Sequence, residues 1–158
     1  MEIERKFLVA GEEWRRDVTA CYPIRQGYLS RDRERVVRVR IKADKAFLTI
    51  KGLTSGAAAA LVRPEFEYEL PMADAEYLLA ELCLKPAIDK RRHIVPGPDG
   101  KRWEVDEFVF PHPGLVLAEI ELSAPDETFV LPSWAGREVS RDYRYANNRI
   151  ATADLSKP

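Results

Sequence analysis

The chain has 158 residues, with 25 Lys plus Arg against 26 Asp plus Glu and a formal net charge of −1. That balance argues against any general attraction to nucleic acid or an anionic membrane, so bound phosphate would have to be held by locally arranged charge. The length suits one domain, 1–158, with a real core, and the 32% of charged residues is above the usual globular share.

Met1-Glu2-Ile3-Glu4-Arg5-Lys6 lacks the apolar centre of a secretory leader, and no apolar run approaches the length needed to cross a bilayer. Cys21 and Cys83 stand alone, with no CxxC or Cys/His spacing suited to zinc. The expected setting is a reducing cytoplasm in which both cysteines are structural.

Period-two alternation begins at once, with Glu2, Glu4 and Lys6 set between Ile3, Arg5 and Phe7. Further strands are predicted over 24–30, over 37–42 (where Val37, Val39 and Ile41 alternate with Arg38, Arg40 and Lys42), and over 47–51. Gly52 to Gly56 breaks the pattern, and the small residues 57–60 read as a flexible connection rather than a phosphate-cradling loop. Glu65, Glu67 and Glu69 then alternate with Phe66, Tyr68 and Leu70. Asp74 is a plausible N-cap for a helix over 75–84 that ends at Pro86. Three strands follow over 87–95, 101–109 and 115–123, the first two joined by the turn Pro96 to Gly100. The tail over 140–155 is predicted to be helical. About eight strands against two or three helices give a strand-rich α+β class with antiparallel pairing.

The unusual feature is how charge sorts by strand. Acidic pairs occur at Glu2/Glu4, Glu67/Glu69, Glu104/Asp106 and Glu119/Glu121; basic pairs occur at Arg38/Arg40 and Lys90/Arg92, with Lys6 and Lys51 placed singly. Members of an i, i+2 pair point to the same side of a sheet. Any one pair is explained by the solvated face of a half-buried strand. Seven such strands suggest a closed barrel with its apolar residues outward, since about eight strands enclose one small ligand. A lumen so charged must balance its cations and anions. Carboxylates suit Mg²⁺ or Mn²⁺, and Arg and Lys suit phosphate oxygens. Composition and spacing reach a polyphosphate-like ligand and no further.

The ordered set resembles the CYTH superfamily, also called triphosphate tunnel metalloenzymes. Glu2-Ile3-Glu4-Arg5-Lys6 is similar to its ExExK opening. Arg38-Val-Arg40, Leu48-Thr-Ile-Lys51, Glu67-Tyr-Glu69, Lys90-Arg-Arg92, Glu104-Val-Asp106, Glu119-Ile-Glu121 and the ending from Glu138 through Tyr145 and Asn147 follow in order. The resemblance covers nearly the whole chain. It implies an eight-stranded antiparallel barrel, the triphosphate tunnel, with a few flanking helices. Within the family, Arg25-Gln26-Gly27-Tyr28-Leu29 is most similar to the short bacterial inorganic triphosphatases.

Carried over by position, Glu2, Glu4, Asp106, Glu119 and Glu121 would bind metal, joined directly or through water by Glu67 and Glu69. Glu104 is left outside that set. Lys6, Arg38, Arg40, Lys51, Lys90 and Arg92 would contact phosphate, with Arg144 as a further candidate. Glu4, Lys6, Tyr28 and Lys90 would carry catalysis. The expected reaction is Mg²⁺- or Mn²⁺-dependent attack of water on a terminal phosphorus of tripolyphosphate, releasing phosphate and pyrophosphate. The substrate would be a small molecule, with neither nucleic acid nor membrane as partner. Hydrolysis of thiamine or nucleoside triphosphate is the nearest rival, followed by a noncatalytic polyphosphate-binding module. RNA binding would call for exposed aromatics among the basic residues, whereas carboxylates hold the comparable faces. His93 and His112 read as surface or turn residues. Trp14, Trp103 and Trp134 read as packing on the barrel.

Overall fold

The computed structural model describes residues 1–53 and 61–156. The flexible connection expected after the strand over 47–51 therefore lies largely outside the described residues. Ten strands account for most of the rest: β1 (Glu2–Val9), β2 (Ala20–Asp32), β3 (Arg35–Lys42), β4 (Lys45–Lys51), β5 (Leu61–Arg63), β6 (Glu65–Leu70), β7 (Leu84–Pro96), β8 (Arg102–Phe110), β9 (Val116–Glu121) and β10 (Ala135–Glu138). Neighbours run β1-β9-β8-β7-β2-β3-β4-β6, all antiparallel. Only Pro64, which has no N–H to give a ladder, separates β5 from β6, and β5 pairs back onto β1 at Glu2, Ile3 and Glu4. Taken as one interrupted strand, β5–β6 brings the circuit to the eight strands expected. β10 adds to the far end of the same β1 edge, at Phe7 and Val9.

The outer wall carries two apolar clusters. In one, Trp103 packs with Trp134 at 5.6 Å between ring centroids, among Phe7, Trp14, Val105 and Ile120. In the other, Val39 and Ala46 are covered by α1 (Met72–Tyr77) and the π-helical turn Leu78–Leu82 that continues it. A Cβ at Gly27 would lie 3.0 Å from both Cys83 Cβ and Leu79 Cδ2, so the strand beneath this helix needs glycine for close approach. Burying these faces outward leaves the alternate residues of every strand to fill the interior.

That interior has two zones. At one end Tyr28, Val36, Ile88, Phe108 and Leu117 form an apolar floor, closed by Val139, Tyr145, Ile150 and Ala151 of the C-terminal segment. Beyond it, on the same strand faces, lie the charged side chains. Among the described residues no helix is long and apolar enough to cross a membrane.

Local expectations fail in three places. The helix expected over 75–84 begins earlier, after Pro71, whose fixed φ suits a helix start; Asp74 lies in the first turn rather than at the cap. The tail is not one helix: a 3-10 turn over Tyr143–Tyr145 is capped by Asp142 and separated by extended Ala146 from α2 (Asn147–Ile150). Its apolar side chains follow the barrel floor, and this overrides helical propensity. His93 is a buried wall residue rather than a surface one, with its ring 4.8 Å from that of Trp14 and Nε2 3.2 Å from Glu107 Oε1. His112 does lie in a turn.

Candidate functional site

The cations enter from β3, β4 and β7. Arg38, Arg40, Lys90 and Arg92 are each at most 8% exposed, so each has given up hydration that other groups must replace. Lys90 Nζ donates to Asp106 Oδ2 at 2.7 Å, and Arg92 grips both oxygens of the same carboxylate at 2.8 and 2.9 Å. Arg38 donates to Thr49 Oγ1 at 3.1 Å and lies 3.6 Å from Glu67, while its Nε has no partner. Arg40 donates to the neutral Gln26 Oε1 at 2.8 Å and, among the described residues, has no carboxylate within 4.0 Å. Burial, with Arg38 and Arg92 alongside, brings its guanidinium down to about 9. Burial likewise brings the Lys90 ammonium down to about 7, against the pull of Asp106. This half of the barrel therefore holds more positive charge than its own carboxylates satisfy.

The acids enter mainly from β1, β6 and β9. Glu2 receives Lys51 at 2.9 Å and Arg63 at 3.0 Å, which hold it well below the usual carboxylate range although burial alone would raise it. Glu119 lies 3.4 Å from Lys6 and, despite burial, is held down to about 2. Lys6 Nζ also donates to the Tyr145 carbonyl at 2.9 Å. Glu4 contrasts with both. Burial, followed by the charges of Glu119 and Glu2, pushes it up to about 8. Burial and a hydrogen bond shared with Glu2 push Glu65 up to about 7. The pairing register also sets Glu4 opposite Glu121 and Glu104 opposite Glu119. Like charges directly opposed across antiparallel strands are destabilising unless something cationic lies between them.

This opposition is the test of whether the residues fit a metal. The donors are all carboxylate oxygens, as hard divalent cations require. Two of them, Glu4 and Glu65, retain protons near neutrality because burial and the neighbouring carboxylates outweigh the cations beside them. Among the described residues no three side chains are already grouped to enclose an ion, because Glu2, Glu104 and Glu119 are turned onto Lys51, Arg63, Arg92 and Lys6. The chemistry fits a cation, which would have to compete for these carboxylates.

Glu2, Glu4, Glu67, Glu119, Glu121, Arg38, Arg40, Lys51 and Arg92 line one chamber of about 200 Å³. Lys6, Tyr28, Lys90 and Asp106 lie outside its lining: Lys90 and Asp106 are 2% and 3% exposed, and Tyr28 is 2% exposed within the apolar cluster. Asp106 is saturated by Lys90 and Arg92, so in this arrangement it is their counter-ion rather than an open oxygen donor. Two further predicted residues, Glu69 and Arg144, lie outside the chamber and away from that charged cluster. Glu69 lies opposite Phe47, exposed and outside the lining, because β6 has by then run past the chamber. Arg144 turns to Asp142 at 2.6 Å, outside the chamber. Conversely, Glu65, Glu104, Lys42, Arg102 and Asn147 line it, and Arg63 supports it through Glu2. The signal for Glu65 and Arg63 is that they lie two and four residues before Glu67, which puts all three on one face.

A family model described as the CYTH domain matches residues 1–152. The chain is 43% identical over 149 residues to an inorganic triphosphatase of Acetivibrio thermocellus, a match spanning 94% of this chain and 92% of that protein. It is 33% identical over 157 residues to an inorganic triphosphatase of Nitrosomonas europaea, spanning 95% and 96%. The fold superposes on the crystal structure of an inorganic triphosphatase with a TM-score of 0.69 at 31% identity, covering 98% of this chain and 96% of that one. The order of charged pairs, the closed eight-strand circuit and these matches agree: the chain belongs to the CYTH domain family.

Proposed function

We propose that this protein is a triphosphatase that hydrolyses inorganic triphosphate to pyrophosphate and phosphate, using Mg²⁺ or Mn²⁺. The observation that carries this reading is the make-up of the chamber. Among the described residues every one lining it is charged except Asn147, with cations gathered mainly on β3, β4 and β7, carboxylates mainly on β1, β6 and β9, and one of each, Arg102 and Glu104, on β8. A metal–triphosphate complex brings both complementary signs at once. Among the described residues no aromatic or apolar side chain lines the chamber to offer a nucleobase or a thiamine ring a stacking face. This favours the inorganic substrate over the organic triphosphates. The two similar proteins carrying the same name support the same choice.

Membership of the CYTH family implies a metal-dependent enzyme. Glu2, Glu4, Glu65, Glu119 and Glu121 would hold the cation, Glu4 and Glu65 losing their protons as they do so. When bound, the cation supplies charge neutralisation at the phosphate oxygens and acidifies water. Arg40 and Arg38, short of carboxylate partners, would take the oxygens of the triphosphate. Fixed cations of this kind stabilise charge shifting toward the leaving pyrophosphate without reorganising at the moment of reaction. Lys90 and Arg92, pinned by Asp106, would brace that cluster from below, and Lys6 would hold Glu119 in place. Tyr28 lines a small space together with Arg38 and Lys51 and would act on their position.

The test is release of phosphate from tripolyphosphate, thiamine triphosphate, ATP and pyrophosphate, with Mg²⁺, Mn²⁺ or EDTA. Metal-dependent turnover of tripolyphosphate well above the others is the expected result. A preference for an organic triphosphate would move the substrate, and tight binding without turnover would leave a noncatalytic module.

A further inference from the structure

A linear chain of more than three phosphates cannot leave the chamber through the barrel floor, which Tyr28, Ile88, Phe108 and Leu117 fill and the C-terminal segment closes. The wall nevertheless has a seam. β1 changes partner along one edge, from β5 at Glu2–Glu4 to β10 at Phe7–Val9. Between them the C-terminal segment bridges the gap: Lys6 N donates to Ser140 Oγ at 2.9 Å and Val139 N donates to the Lys6 carbonyl at 2.9 Å. Beside this seam lies a cavity of about 220 Å³ whose lining includes Glu4, Lys6 and Arg63 from within the barrel and Arg33 and Arg141 from outside it. Asn147 lines this cavity, the chamber and the small space between the two.

The charge of the lateral cavity is positive in excess. Four cations (Lys6, Arg33, Arg63 and Arg141) face two acids, Glu4 and Asp142, and Asp142 is engaged by Arg144 at 2.6 Å. Arg63 is shared with Glu2 at 3.0 Å. Among the described residues neither Arg33 nor Arg141 has a carboxylate within 4.0 Å; Arg33 lies over the Tyr143 ring at 4.7 Å. Planar, permanently charged guanidinium groups at an opening suit successive phosphate groups of a chain, which Arg can hold by paired hydrogen bonds.

We infer that this seam is a lateral port of the chamber, in which Arg33 and Arg141 hold the phosphate groups of an inorganic polyphosphate that lie beyond the three inside. The inference rests on the proposed triphosphate reading, because it needs a phosphate chain in the chamber. It makes the protein a binder of tetraphosphate and longer chains, with Arg33 and Arg141 selecting for length and having no part in holding the first three phosphates. Asn147, at the junction, is placed to pass the chain from one cavity to the other.

The test is calorimetric binding of tripolyphosphate and tetraphosphate to the full chain in EDTA, so that neither is hydrolysed during the titration, at an ionic strength of about 0.15 M to screen distant charge. A double variant, Arg33→Glu with Arg141→Glu, is compared with wild type. The control, Arg16→Glu with Arg91→Glu, changes the net charge equally away from the cavity. The expected result is a Kd for tetraphosphate raised about tenfold or more by the port variant, with tripolyphosphate within about twofold and the control near wild type. Equal losses for both chain lengths, no loss for either, an equal loss in the control, or rejection of tetraphosphate by wild type would each overturn the port. Failure of wild type to bind tripolyphosphate would instead strike the underlying reading, so the two failures are separable.

Discussion

The two ends of the barrel interior are built from the same strands and obey opposite rules. Along β3, Val36 belongs to the floor and Arg38 and Arg40 to the chamber; along β7, Ile88 gives way to Lys90 and Arg92; along β9, Leu117 gives way to Glu119 and Glu121. The floor side chains are at most 4% exposed for Leu117, Val36, Ile88, Phe108 and Tyr145, and their burial stabilises the closed barrel by about 1.5–3 kcal/mol for each large apolar side chain. In the chamber Arg38, Arg40, Lys51, Arg92 and Glu119 are at most 8% exposed and cost stability, because their desolvation is only partly offset by one another. One end of the lumen holds the fold, and the other is kept ready for a ligand that completes its charge balance.

The largest effect that would sharpen this contrast is loss of turnover without loss of fold. Arg40 has no carboxylate to leave stranded, so Arg40→Met removes an unneutralised buried cation while roughly keeping its volume. Turnover of tripolyphosphate should fall about 10²- to 10³-fold, the scale of losing one preorganised charge contact in a transition state. The ligand-free melting temperature should move by no more than a few degrees. A variant that melts far lower while its residual turnover stays near wild type would assign Arg40 to the framework.

The floor should answer in the opposite sense. Ile150 is fully buried against it, so Ile150→Ala should cost about 2–5 kcal/mol by leaving a cavity. For a protein of this size that is a fall of roughly 5–15 °C in melting temperature. Well below that temperature, tripolyphosphate turnover should stay within a few fold. If turnover drops with little change in melting, the C-terminal segment acts on the chamber directly, the Tyr145 carbonyl on Lys6 Nζ being the connection.

Proton linkage gives a smaller effect. Glu4 at about 8 and Glu65 at about 7 lie above the ordinary carboxylate value of 4.5, so in the metal-free protein both hold protons at pH 7 to a substantial degree. A raised carboxyl pKa means that the stability linked to these groups is full below about 4.5 and is lost as pH rises through 7 to 8. A divalent cation must expel those protons. Its affinity should therefore climb by up to about tenfold per pH unit for each proton released between pH 6 and 8, then level off. Titration of Mn²⁺ into the protein in buffers of differing ionisation enthalpy reads the protons directly. A heat independent of the buffer at pH 7 would remove Glu4 and Glu65 from the ligands.

The circuit was legible in the sequence because two periodicities agreed. Alternation marked the strands, and charge marked the inward face, as in Arg38 and Arg40 beside Val37 and Val39. What alternation cannot convey is position along the barrel axis. Asp106 and Glu104 share a face, but only the tertiary register puts Asp106 beneath Lys90 and Arg92 and leaves Glu104 in the chamber wall. The C-terminal tail misled for a related reason: its polar residues suit a helix, while Tyr145 and Ile150 are drawn to a floor that no local pattern reveals.

The same ambiguity of height gives the smallest and sharpest test. Glu65, Glu67 and Glu69 alternate identically, and only pairing with β4 distinguishes them: Glu65 faces Lys51, Glu67 faces Thr49 and Glu69 faces Phe47. Glu65 shares a hydrogen bond with Glu2 inside the chamber, whereas Glu69 is exposed beyond its rim. Glu65→Gln removes one negative charge from the proposed cation site and should raise the metal concentration for half-maximal turnover by about tenfold, as loss of one charge-assisted contact does. Glu69→Gln makes the same chemical change two steps up the same strand face and should leave it within about twofold, in the range of an exposed substitution. Equal responses would mean that the metal site extends outward past Thr49, to the exposed end of β6.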